Sequence, residues 1–235
     1  MKYLWGIIGV VLVIAIGTSV WYSSVANERA NEGVEVTTHV KGNPDAEVTL
    51  TEYSDFQCPA CAQFYPVVND VMEQYGDQLR FEYKHFPLIS IHPLAEPAAR
   101  AAEAAGQQGK FFEYHDMLFE NQGEWSSGGV ASQYFEEYAR ELELDIEQFN
   151  RHMRSSLLAD KIRSDLGEAR QNGYTGTPTF ELNGERMSFE SFEGFLGQIQ
   201  DALGVEATST LTEASTSSDA TSSDATSGSN VRFGF

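Results

Sequence analysis

The chain has 235 residues, of which 41% are hydrophobic and 12% aromatic, enough for one well-packed domain with appendages. Its formal net charge is −20, from 35 acidic and 15 basic residues. That balance excludes nucleic acid as a natural partner, because phosphate contacts need a basic surface.

From Leu4 to Val20 there is no charged residue, and Trp21-Tyr22 follow as a pair suited to a membrane interface. Residues 1–26 therefore read as one N-terminal transmembrane helix. Lys2 and the α-amino group precede it, while Glu28, Glu32 and Glu35 follow, so the positive-inside bias keeps the N-terminus cytoplasmic and sends the domain outward. Ser24-Val25-Ala26 has the small residues of a cleavage site, so a cleaved signal stands beside the retained anchor. The apolar run exceeds the roughly 7–15 residues of a signal's core, which favours the anchor. On either reading the domain enters a compartment where disulfides persist.

Residues 27–35 form a polar linker leading to a short strand over Val36 to Val40. Asn43-Pro44-Asp45 marks a turn, and Val48 to Ser54, rich in β-branched and aromatic residues, reads as a strand. Beyond it lie the chain's only two cysteines, in Cys58-Pro59-Ala60-Cys61. Phe64, Val67, Val68, Val71, Met72 and Tyr75 then recur at helical spacing, with Pro66 placed to kink the helix and Gly76 to close it. Leu79 to Phe86 alternates as a second strand.

A C-x-x-C spacing lets two sulfurs reach disulfide distance within one helical turn, and Pro59 suits the first helical position because it has no amide hydrogen to leave unpaired. Cys58 then sits at a helix N-terminus, where free amides and the macrodipole lower a thiol pKa from about 8.5 into the range of roughly 3.5–7.5. Zinc is the competing use of such a pair. It needs four ligands, no further cysteine exists, and His39, His85, His92, His115 and His152 are scattered with no H-x-x-H pairing. A purely structural disulfide would close too short a loop to constrain the unfolded chain much. Redox chemistry is the favoured reading, and neither metal nor cofactor is expected.

Ala95 to Gly106, Phe111 to Phe119 and Tyr134 to Leu142 read as helices, separated by breaks at Gly106 to Gly109 and Gly123 to Gly129. Asp145 with Gln148 resembles a capping box opening a helix through Ile146, Phe149 and Met153, and a further helix through Leu157, Ile162, Leu166 and Ala169 stops near Gly173. The block spans about 88–172. Thr179 to Leu182 and Glu185 to Met187 flank Asn183-Gly184, a strong hairpin signal, and Phe189 to Leu203 forms a closing amphipathic helix. Residues 205–235 are a disordered Ser/Thr/Asp-rich tail that repeats Ser-Ser-Asp-Ala-Thr in tandem. The pattern predicts an α/β domain over 36–204 with one long helical insertion.

Tyr53-Ser54-Asp55-Phe56-Gln57-Cys58-Pro59-Ala60-Cys61, Lys84-His85-Phe86-Pro87-Leu88 and Gly176-Thr177-Pro178-Thr179-Phe180, in that order around a helical block, resemble the DsbA-like branch of the thioredoxin superfamily. The likeness covers roughly Val36 to Leu203. It implies a thioredoxin fold with an inserted all-helical domain and a thiol:disulfide oxidoreductase acting on exported proteins outside the cytoplasm. It further implies that Cys58 is the exposed nucleophile and Cys61 the buried resolving thiol. Pro178 matches the family's cis-proline, Thr177 would present its backbone to a substrate strand, and Glu52 would accept or relay the proton of Cys61. Lys84 is either a partner of Glu52 or a solvated strand lysine, and His85, His92 and His115 read as packing or surface residues.

The dipeptide Pro59-Ala60 lacks the histidine of the best-known oxidases in this group, which leaves the depth of the Cys58 pKa open. The short connector leaves no room for a dimerisation domain, so a monomer is expected. Three functions follow: an oxidase recharged by a quinone-linked membrane partner, a reductase or isomerase held reduced by a membrane carrier, or a non-catalytic acidic surface module.

Overall fold

A computed structural model describes residues 2–127 and 129–205, with residues 2–7 and 10 described by backbone alone. The tail expected over 205–235 lies outside the described residues apart from Val205. The chain divides into two units, Met1–Thr37 with Leu94–Ser164 and Thr38–Pro93 with Asp165–Phe235.

The second unit is built on a five-stranded sheet. Its strands are β1 (His39–Gly42), β2 (Val48–Ser54), β3 (Leu79–His85), β4 (Thr179–Leu182) and β5 (Glu185–Arg186), in the order β1-β3-β2-β4-β5. β2 is parallel to β3 and antiparallel to β4; β1 and β5 add antiparallel edges. Every β2 residue but Thr49 is buried, as a central strand covered on both faces requires. β1 begins later than the expected Val36. In its register with β3, His39 faces Tyr83, so residue 36 would fall opposite Phe86, where the chain turns out of the sheet towards Pro87.

The C-x-x-C helix, α2 (Pro59–Tyr75), carries Pro66 inside it and is followed by Gly76 at its C-cap. Its Phe64 meets the rings of Phe180, Phe189, Phe192 and Phe195 at centroid distances of 4.9–5.6 Å. This aromatic cluster ties α2 to β4 and to the last helix. A second cluster joins Tyr53, Phe86, Ala169 and Tyr174, with Leu88 and Leu166 against it. Asn183 and Gly184 take φ of 54° and 82°, the two positive angles a two-residue hairpin of this hand demands. The closing helix starts at Phe192 rather than Phe189, because the Ser191 hydroxyl caps it by accepting from Gly194 N–H at 3.2 Å.

The first unit contains α1 (Lys2–Ala30), α3 (Ala95–Gly106), α4 (Phe111–Glu120), α5 (Gln122–Trp125), α6 (Ala131–Glu141), α7 (Ile146–His152) and the start of α8 (Ser156–Gln171). Seven alanines of α3 are buried, a small-residue surface that lets neighbouring helices approach closely. The expected break over Gly123 to Gly129 is entered by the single turn of α5. Buried Trp125 holds that turn by donating to Leu118 O at 2.7 Å. Asp145 caps α7 as expected, accepting from Gln148 N–H at 2.8 Å. The other half of the box is supplied by Gln108, which accepts from Asp145 N–H at 2.8 Å.

The stretch expected as a polar linker is bonded within this unit at Asn31 and Glu35. Asn31 Oδ1 accepts from Ser155 Oγ and Ser156 N–H at 2.8 and 3.0 Å, capping α8, and Glu35 exchanges two bonds with the Gln107 amide. Among the described residues no helix is long and apolar enough to cross a membrane. The side chains of Leu4 to Ile7 and of Val10, which belong to the apolar run, are outside that description.

Candidate active site

β2 carries the chain to Ser54, and Asp55 then turns it into α2. The Asp55 carboxylate is buried and accepts three bonds: Oδ1 from Gln57 N–H at 2.8 Å, and Oδ2 from Leu88 N–H at 2.8 Å and across 2.8 Å from His92 Nδ1. Its carbonyl accepts from Cys58 N–H at 3.0 Å. One side chain therefore holds the loop before the cysteine against the loop after β3. The sequence reading assigned Asp55 no role, although an Asp accepting from the amide two residues on is a known local turn signal.

Cys58 is the N-cap of α2 and Pro59 follows at the start of the helix. Both cysteines are free thiols, Cys58 with 7% exposure and Cys61 with none. The expectation of an exposed nucleophile is corrected in degree. The Cys58 sulfur is covered by the Thr177 carbonyl, to which its S–H donates across 3.5 Å, but it remains the more accessible of the two. The Thr177-Pro178 peptide is cis.

The two thiols are driven apart in acidity. A hydrogen bond from the Cys61 thiol, helped by the Thr177 side chain and the amides of Cys61 and Ala60, lowers Cys58 to about 6 against the opposing effect of burial. Burial holds Cys61 well above the ordinary thiol range, and the neighbouring charges on Cys58 and Glu52 add to it. Ionisation of one sulfur thus opposes ionisation of the other, and Cys58 takes the charge.

Glu52 lies in the middle of β2, paired with Tyr83 on β3 and Phe180 on β4, and is 3% exposed. Paired residues share a sheet face, which puts Glu52 on the side where Phe180 meets Phe64 of α2. Burial raises its carboxyl to about 7, with the Cys58 charge contributing. Tyr83, buried on the same face and stacked on Phe56 at 5.2 Å, is held well above the ordinary phenol range by burial and by the charge of Glu52. Its part in the site was not read from the sequence, where it is one aromatic in an alternating strand.

Lys84 pairs not with Glu52 but with Glu168, at 2.6 Å, and with Glu82 at 3.7 Å. Strand alternation explains this, because Lys84 points away from the face its neighbour Tyr83 shares with Glu52. His85 packs edge-on against Tyr83 and His39, and His115 packs among Phe111, Phe112 and Phe119, as expected for packing residues. His92 does more than pack, through its bond to Asp55. A cavity of about 260 Å³ begins at Pro178 and is lined by Thr179, Phe180, Arg186, Met187 and Phe189.

Residues 34–201 match the family model described as thioredoxin. Among solved structures, a thioredoxin-like oxidoreductase from Silicibacter pomeroyi is 27% identical with a TM-score of 0.61, covering 77% of this chain and 98% of its own. Alpha-DsbA1 from Wolbachia pipientis is 21% identical with a TM-score of 0.63, covering 75% and 96%. A curated relative, the Na(+)/H(+) antiporter NhaA 1 of Salinispora arenicola, is 40% identical over 148 residues, which are 63% of this chain and 22% of the antiporter. The chain thus spans about a fifth of the curated relatives it matches.

Proposed function

The chain belongs to the thioredoxin family and has the fold of its DsbA-like members, and from this we propose that it is a thiol:disulfide oxidase that introduces disulfides into exported proteins. The family's chemistry needs only a cysteine pair and no cofactor. The observation that carries the reading is the cysteine pair at the start of α2, with Cys58 against the cis Thr177-Pro178 peptide and Cys61 fully buried. In this arrangement Cys58 is lowered to about 6 and burial holds Cys61 up.

In the oxidised protein a substrate thiolate attacks the Cys58 sulfur, the more accessible of the two. The Cys58–Cys61 bond breaks, and Cys61 leaves with the electron pair and takes a proton. Glu52, whose carboxyl titrates at about 7, is suited to deliver that proton and to recover it in the reverse direction. A second substrate thiol then attacks the substrate sulfur of the mixed disulfide and releases Cys58 as a stable thiolate. Two electrons pass from the substrate dithiol to the protein. One of the two substrate protons remains on Cys61 and the other goes to solvent.

Thr177 and Pro178 form the wall on which the substrate chain lies, with its backbone against the Thr177 carbonyl and a side chain in the cavity beside Pro178. We place the domain outside the cytoplasm, tethered as a monomer by an anchor in residues 1–26, and recharged by a quinone-linked partner in the membrane. A leaving thiolate of low pKa favours the reduced form, which is what makes a strong oxidant.

The test is the reduction potential of the pair, combined with trapping of mixed disulfides by a Cys61→Ala variant in the producing cell. A potential in the range of about −120 to −180 mV with exported proteins trapped is the expected result. A value near about −270 mV points instead to a reductase. Unchanged function in Cys58→Ala would leave only the non-catalytic surface module.

A further inference from the structure

The first unit holds a second cavity, of about 330 Å³, between the end of α1 and the α7 region. Its lining includes Tyr22, Arg29, Arg151 and Arg154, with Glu147 as the one acidic member. Three of the chain's 15 basic residues therefore meet at one hollow of a protein whose net charge is −20. A solvated surface of such a chain would intersperse them with carboxylates. Here none of the three guanidiniums has an ion-pair or side-chain hydrogen-bond partner among the described residues, and the Arg151 Nε is buried with none.

The position of the hollow along α1 matters as much as its charge. Tyr22 to Ala30 covers roughly 12 Å of helix at 1.5 Å per residue. The headgroup layer on each side of a bilayer is about 5–7 Å deep. On the anchor proposed above, Trp21 and Tyr22 would sit at the interface, and the cavity would begin at the membrane surface and open through the headgroup layer on the outer side. Planar, always-charged guanidiniums on converging stems are the side chains that grip a phosphate with two parallel bonds.

We propose that this cavity binds a phosphate anion through Arg29, Arg151 and Arg154, and that the headgroup of an anionic phospholipid in the outer leaflet supplies it. The site rests on the anchor proposed above. Its occupation orients the helical unit on the membrane surface and offsets the repulsion between an acidic domain and an anionic bilayer.

The test uses the full chain in nanodiscs of phosphatidylcholine, with or without phosphatidylglycerol, read by amide hydrogen exchange over residues 22–30 and 147–154. Phosphatidylglycerol is expected to slow exchange there several-fold. Arg29→Gln/Arg151→Gln/Arg154→Gln should abolish the difference while thiol exchange at Cys58 stays unchanged, and Arg154→Gln alone, at an exposed position, should weaken it without touching the fold. Equal exchange in both nanodiscs and with added inorganic phosphate overturns the site. Slowing by inorganic phosphate in phosphatidylcholine nanodiscs, equal to that by the anionic lipid, supports the site and makes free phosphate its ligand. Failure of the chain to enter either nanodisc overturns the anchor and the lipid source together, and inorganic phosphate then decides the cavity alone.

Discussion

The Cys58 sulfur lies 3.5 Å from the carbonyl oxygen of Thr177, and the buried Thr177 side chain helps to favour its thiolate. The carbonyl accepts from the Cys58 thiol but offers nothing to the thiolate. The thiolate is favoured first by the hydrogen bond from the Cys61 thiol and then by the Thr177 side chain and the amides of Cys61 and Ala60, against burial.

The thiolate absorbance at 240 nm of the reduced protein should therefore rise with a midpoint near pH 6. In Cys61→Ala the midpoint should move upward towards the ordinary value of about 8.5. A variant midpoint that stays near 6 would show that the Thr177 side chain and the helix amides suffice and that the sulfur–sulfur bond contributes nothing.

The same shift makes stability depend on pH. Cys58 is lowered in the folded reduced protein, so its contribution is fully present above the unfolded thiol's pKa and is lost as pH falls through about 6. The oxidised protein has no such group. Denaturant melts of the two forms should show the reduced form losing stability relative to the oxidised one between pH 9 and pH 6. A constant difference across that window would contradict the assignment.

Glu52 carries the opposite sign. Its carboxyl is raised to about 7, so the stability it contributes is present below the ordinary carboxyl pKa and is lost as pH rises through 7. Glu52→Gln should stabilise the fold at pH 8 while slowing exchange by roughly 10²-fold, the lower end for a lost general acid–base group. It should also remove the limb near pH 7 from the rate profile. A full rate with an unchanged profile would make Glu52 a bystander.

Lys84 tests how local this electrostatic design is. Its partner Glu168 is 47% exposed, so Lys84→Ala should cost only about 0.2–1 kcal/mol and leave the limb near pH 7 in place. Movement of that limb would mean that the lysine acts on Glu52 after all.

Phe64 fills the space between α2, β4 and the closing helix with four ring neighbours. Phe64→Ala should destabilise the protein by about 3–5 kcal/mol, as measured by denaturant unfolding. A loss below about 1 kcal/mol would mean that the cluster closes over the gap, against the usual behaviour of a packed core.

The elements legible in the sequence are those whose signal is local. β2, α2 and α3 have the bounds that periodicity, Pro59 and the flanking glycines imply, and Asn183-Gly184 makes its hairpin. The details that the sequence did not show depend on distant partners. β1 starts where β3 permits it, α5 exists because Trp125 has a carbonyl to reach, and residues 31–35 are held by Ser155, Ser156 and Gln107. No window of sequence contains such pairings.

By itself the sequence determined that two cysteines sit one helical turn apart at the start of a helix, because spacing and Pro59 are properties of neighbouring residues. It also determined the acidic balance of the chain and its apolar N-terminal run. Only the tertiary structure decided what surrounds the sulfurs: the Thr177 carbonyl against Cys58, the complete burial of Cys61, and Glu52 on the sheet face that carries α2. It likewise decided that Asp55, not any residue between the cysteines, pins the loop before them. Acidity and access depend on burial and on groups brought together from remote parts of the chain, and those distances exist only once the chain has folded.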